Sequence, residues 1–160
     1  TFPRSTFHGC DVNVPAIKAA GQHAAHLPNL SFAVCDAAGV LEGAPFDLVI
    51  ALKSMHHQHS PETVLISVRR SLAPDGVLLM IEQNFSSYLV NNLDNPLACM
   101  YYGGSVMHCL TVSLAEGGAG LGGMWGREAA CEMLAGAGFA HVEVIDGPRP
   151  QDCIFVCYKQ

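Results

Sequence analysis

The stretch FDLVIALKSMHHQHSPETVLISVRRSLAPDGVLLMIE, residues 46–82, decides the fold. It opens on Phe46–Ala51, where Leu48, Val49 and Ile50 are consecutive, and it closes on a second apolar run, Val77–Glu82. Continuous apolar runs of strand length, without polar alternation, are the pattern of strands covered on both faces, as in parallel sheets. Between them lies a helix signal: Ser60 offers a capping hydroxyl, Pro61 presets the first helical φ, and Glu62 sits near the positive end of the dipole. Val64, Leu65, Val68 and Leu72 recur at helical spacing, Arg69 and Arg70 suit the last turn, and Pro74-Asp75-Gly76 stops the helix. Strand, helix and strand in this order make a βαβ unit and a mostly parallel sheet.

The same alternation extends both ways. Ser5–Cys10 reads as a strand ending in Asp11. Asn13 caps a helix with Pro15 in its first turn, and Val14, Ile17, Ala20, Ala24 and Leu27 share one face of it. Leu30–Cys35 is the next strand, ending in Asp36, and Gly43-Ala44-Pro45 turns into Phe46. Downstream, Arg127–Ala137 reads as a helix ended by Gly138. The strands Ala140–Asp146 and Cys153–Lys159 follow, joined by Gly147-Pro148-Arg149-Pro150. Residues 84–124 interrupt the pattern with a helix expected from Ser86 to about Tyr101 and then a glycine-rich segment. This reads as an insertion over the carboxyl edge of the sheet, where lids and substrate walls sit. The chain shows no internal repeat and reads as one domain over residues 1–160.

Composition narrows the functional classes. Of 160 residues, 50% are apolar and 14% charged, which excludes a disordered chain. The net charge of −6, without a basic run, argues against a nucleic-acid partner. No apolar stretch approaches the roughly 20 residues of a membrane span, and the first residues lack a signal-peptide pattern. Seven cysteines scattered among apolar neighbours, with no C-x-x-C, read as free thiols of a reducing compartment; the cytoplasm is the expected location.

Ligands of open parallel sheets bind at the carboxyl ends of the strands. Asp11 and Asp36 close two of these strands and Ala51-Leu52-Lys53-Ser54 follows a third. A carboxylate after a strand often only shapes a turn, but a pair at matching strand ends can hold the ribose and adenine of a nucleoside. In order, Asp11, Cys35-Asp36-Ala37, Phe46-Asp47-Leu48-Val49, Leu72-Ala73-Pro74-Asp75-Gly76 and Ala137-Gly138-Phe139 resemble the second to last motifs of a class I S-adenosylmethionine-dependent methyltransferase. Asn91–Pro96, Tyr101-Tyr102, His108-Cys109, Ser113-Leu114-Ala115, Gly120-Leu121-Gly122 and Met124-Trp125-Gly126 are similar to a branch that carries a winged-helix-like domain before the catalytic one.

The resemblance implies an α/β fold: a Rossmann-like, mostly parallel sheet flanked by helices, with a helical lid and an antiparallel last strand. It implies S-adenosylmethionine as cofactor and a small molecule as methyl acceptor. Asp11 would bind the ribose hydroxyls with Val12 against the adenine, Asp36 and Ala37 would contact the adenine edge, and Leu52 and Lys53 would pass beside the methionine portion. Lys53 departs from the acidic residue often seen there. The family's first strand and glycine-rich loop would precede Thr1. The expectation is therefore a fold incomplete at the N-terminus, with strand edges exposed and the chain alone weakly folded or inactive.

Other signals have rival readings. Gly118-Ala119-Gly120-Leu121-Gly122-Gly123 matches a G-x-G-x-x-G dinucleotide fingerprint, with Met107–Leu114 as its preceding strand, but too few strands follow; lid glycines fit better. His56-His57-Gln58-His59 lacks zinc-site spacing and a suitably placed cysteine or acid, so no metal is expected. His56 and His108 are the candidate general bases, since an imidazole titrates where a hydroxyl or amine needs deprotonating. Tyr101-Tyr102 with Asn91–Pro96 suits a substrate pocket or a homodimer contact, Trp125 a packing anchor, and Cys153 and Cys157 one strand face. The alternative to an enzyme is a non-catalytic remnant that pairs with another subunit through exposed sheet edges.

Overall fold

A computed structural model describes residues 2–115 and 117–160. Its strands are β1 (Phe7–Asp11), β2 (Leu30–Val34), β3 (Phe46–Leu52), β4 (Leu72–Gln83), β5 (His141–Asp146) and β6 (Asp152–Tyr158). Its helices are α1 (Val14–His23), α2 (Pro61–Ser71), α3 (Ala98–Gly104), α4 (Leu110–Ala115) and α5 (Gly126–Gly136). Short 3-10 turns occupy Met55–His57 and Leu89–Asn92, and a π-helical segment, Ser105–Cys109, joins α3 to α4. No helix is long and apolar enough among the described residues to cross a membrane.

The α/β architecture is the expected one, a sheet flanked by helices. β3 runs parallel to β4, and β6 runs antiparallel to both β4 and β5, giving the order β3-β4-β6-β5. Strand pairing puts Val49, Leu78, Cys157 and Val142 in one row across the sheet and Ala51, Met80, Phe155 and Val144 in the next. These rows face the core, where Val64, Leu65 and Val68 of α2 and Ala130 and Leu134 of α5 cover them. Cys153 and Cys157 are both fully buried on this side, as their spacing implied.

The opposite face corrects the sequence reading. Leu48, Ile50 and Leu52 are 49%, 59% and 65% exposed, although their consecutive apolar run predicted cover on both sides. The run encodes two buriable faces, but among the described residues α2 and α5 cover only one. The edges are likewise open. Among the described residues β1 pairs only with β2, in parallel, and β3 only with β4. Between β1 and β3 lies a cleft of about 650 Å³, lined by Thr6, His8, Gly9, Pro45, Phe46 and Leu48. Helix α1 buries none of its residues, so its predicted apolar stripe is largely uncovered.

The insertion also departs from its expected form. The helix predicted from Ser86 begins only at Ala98, because side chains organise the preceding residues locally. Asn92 accepts the Ser86 N–H at 3.0 Å and donates to the Ser86 carbonyl at 2.8 Å and the Tyr102 hydroxyl at 3.0 Å. Met107–Leu114, considered above as a strand, is helical. Trp125 is buried, as an anchor should be. Beside it Gly126 has φ +83°, and a Cβ there would stand 2.2 Å from the Ser87 nitrogen, so only glycine lets the lid's two ends meet.

The two faces predict different mutational costs. Phe155→Ala, in the core, should lose about 3–5 kcal/mol, and Ile50→Ala, on the open face, under about 1 kcal/mol. Urea unfolding of both variants measures the contrast.

Candidate functional site

Asp11 ends β1 with one carboxylate oxygen accepting the Asn13 N–H at 2.8 Å, and Asn13 in turn caps α1 by accepting the Ala16 N–H at 2.9 Å. Register pairs Asp11 with Val34, so Asp36 lies just past the same level on the neighbouring strand. Its Oδ1 accepts the Ala38 N–H at 2.9 Å. Each carboxylate thus shapes its own turn with one oxygen, while the other has no protein partner among the described residues. Both side chains are exposed, as is Val12, and Ala37 packs between them and the core. The turn reading and the ligand reading are therefore compatible.

Leu52 ends β3 on the open face. Lys53 follows with φ +50°, a left-handed conformation that costs about 1 kcal/mol or more for a side-chain-bearing residue. That twist carries the chain off the sheet into the Met55–His57 turn. The Lys53 ammonium lies 2.7 Å from Oδ1 of Asp152, whose other oxygen accepts from Arg149 Nε at 2.7 Å. A cation at this position is thus matched by a carboxylate from β6, a partner that the sequence did not disclose.

Further along the same edge, His56 is 2% exposed and its Nδ1 is 2.6 Å from Glu82 Oε2. A carboxylate only accepts, so Nδ1 is the donor, and in the neutral ring the lone pair then sits on Nε2. Glu82 also accepts the Met55 N–H at 3.2 Å. The His57 ring centroid lies 4.2 Å from that of His56 and 5.5 Å from that of His108, which is exposed on the π-helical segment. Burial first, and then the neighbouring His56 and His108, hold the His57 pKa below its ordinary value. The two predicted bases, His56 and His108, are thus brought to one locus, with His57 between them.

The expectation that no cysteine stands near these histidines is corrected. One donor atom each from His56, His57 and Cys109 lies within 4.8 Å of the others. His59 is turned away and exposed; its carbonyl accepts the Ala119 N–H at 2.9 Å. Sequence reasoning missed Glu82, Asp152 and Cys109. The available signal for Glu82 was a lone charge closing an otherwise apolar strand. The dinucleotide reading fails, because Gly118–Gly123 follows the helix α4 rather than a strand.

A family model described as a methyltransferase domain matches residues 1–78, from β1 into the start of β4. A proposed O-methyltransferase from Nostoc punctiforme has the same fold, with a TM-score of 0.73 at 21% identity over 98% of this chain and 45% of that one. The chain thus has the fold of these methyltransferases. The methyltransferase fold is shared equally by CalH, a trans-methyltransferase solved with S-adenosylhomocysteine, with a TM-score of 0.69 at 18% identity over 96% of this chain and 42% of that one. NodS, an N-methyltransferase from Bradyrhizobium japonicum, gives 0.58 at 16% identity over 96% and 65%. This chain spans less than half the length of the first two. No curated protein matches it in sequence.

The Asp152 cluster carries a pH signature. Burial alone would raise the Asp152 pKa, but hydrogen bonds from Lys53 and Arg149 and their charges outweigh it, leaving the carboxyl below its ordinary value. A pKa depressed by folding stabilises above the unfolded value, and that contribution is lost as pH falls through the folded one. Asp152→Asn should therefore flatten the loss of melting temperature between neutral pH and the acid range, as measured by thermal unfolding at a series of pH values.

Proposed function

We infer that this chain serves S-adenosylmethionine-dependent methyl transfer to a small-molecule acceptor, as the adenosyl-binding and acceptor-facing part of the catalytic domain. The observation that carries this reading is the pair Asp11 and Asp36, set at level ends of adjacent parallel strands, each with one oxygen committed to its turn and the other free. That arrangement fits a nucleoside. Asp11 would take the ribose hydroxyls, Val12 the adenine face, and Asp36 with Ala37 the adenine edge. Leu52 and Lys53 border the methionine side, where Asp152 keeps the Lys53 charge paired and so limits repulsion of a cationic group.

When bound, the cofactor supplies an electrophilic methyl group on its sulfonium. The chain's part is then to align the acceptor and exclude water. The described residues of the insertion, 84–115 and 117–124, would form the wall over the strand ends. Of the two candidate bases, His108 is open to solvent and would take a proton from an acceptor hydroxyl or amine. His56, buried against Glu82, fixes the geometry beneath it. A net charge of −6 favours a small-molecule acceptor over a polynucleotide.

A second reading, an interaction subunit, is favoured by the unpaired edges of β1 and β3 and the open face of β3. Calorimetric titration of S-adenosylhomocysteine separates the two, once far-UV circular dichroism shows a folded chain. Saturable binding that Asp11→Ala weakens at least tenfold, about 1.4 kcal/mol, is the expected outcome. A folded chain without saturable binding, or binding indifferent to the substitution, overturns the cofactor reading.

A further inference from the structure

We propose that His56, His57 and Cys109 form a binding site for a zinc-class divalent cation, tying the lid to the carboxyl edge of the sheet. The site goes beyond the methyl-transfer reading and does not depend on it. Its donors come from two separate elements: the 3-10 turn after β3 and the π-helical segment between α3 and α4. All three donor atoms lie within 4.8 Å of one another. Around a tetrahedral ion, imidazole and thiolate donors stand roughly 3.4–3.6 Å apart, so a closure of about an ångström suffices.

Three further features favour an ion here. Glu82, 1% exposed, accepts from Nδ1 of His56 and so leaves Nε2 as the nitrogen whose lone pair can bind a metal. A carboxylate behind the imidazole is how proteins orient histidine ligands and raise their basicity. The Cys109 thiol ends the π-helical segment, a register widening that often re-aims side chains at functional sites. Across from it stands Gly123, where even a Cβ would lie 3.5 Å from the Cys109 sulfur. Two imidazoles and one thiolate suit zinc over magnesium or calcium, which favour oxygen donors. Three protein ligands leave a fourth position for water or for the neighbouring imidazole of His108.

The test uses the reduced 160-residue chain freed of metal by chelation. Cobalt(II) titration should give one equivalent bound, tetrahedral visible bands and a thiolate-to-cobalt charge-transfer band, all displaced by zinc. Cys109→Ser should abolish the charge-transfer band, and Glu82→Gln should weaken binding tenfold to a hundredfold. Cys10→Ser, at an exposed cysteine of β1, should leave the spectrum unchanged. Absence of a one-to-one cobalt complex in the folded protein overturns the proposal. So does a charge-transfer band that survives Cys109→Ser or disappears in Cys10→Ser. The wild-type spectrum decides even if Cys109→Ser fails to fold. Because the readout is metal binding, its failure is distinct from failure to bind S-adenosylhomocysteine.

Discussion

Strand β4 is hydrogen-bonded along both edges, to β3 in parallel and to β6 antiparallel. Its side chains therefore have no freedom of phase: a slip of one residue would exchange its two faces. Leu78 and Met80 point into the core, and Glu82, two residues on, must point the same way. A buried carboxylate is costly unless its oxygens are bonded. The His56 imidazole and the Met55 N–H meet that demand, which fixes the turn after β3. The phase of one strand thus sets the position of the histidines at the sheet edge.

The lid is held by the same economy of polar partners. Glu128, at the start of α5, accepts the Ser86 hydroxyl at 2.8 Å and the Ser87 N–H at 2.6 Å. Burial acts to raise its pKa, but the Ser87 and Ser86 hydrogen bonds prevail and lower it. The entry to the lid is thereby fastened to the helix at its exit. The lid residues His108 and Cys109 come to face the β3 edge because both ends are pinned and the helical run from Ala98 to Ala115 crosses between them.

The part of the fold that holds Asp11 and Asp36 is less enclosed. Cys35, Ala37 and Ala38 pack on the core, and the Ser67 hydroxyl donates to the Gly39 carbonyl, linking this part to α2. Elsewhere it offers an unpaired β1 edge and a helix without buried residues. Burying a leucine or isoleucine side chain stabilises by about 1.5–3 kcal/mol, so the open row Leu48, Ile50 and Leu52 is a reserve of unrealised stability. It is also the surface on which the interaction-subunit reading rests.

The sequence determined the local elements. Ser60-Pro61-Glu62 starts α2 and the apolar runs become β3 and β4 because caps, proline and periodicity act within a few residues. The ends of strands and the two aspartates there were legible for the same reason. Only the tertiary structure decided what those elements meet. The Asn92 network displaced a predicted helix, and half of β3 proved uncovered. Glu82 under His56, Asp152 beside Lys53 and Cys109 beside His57 are pairings across 26 to 99 residues of chain. No local propensity encodes them, since sheet register and lid path bring such side chains together only once the chain has closed on itself.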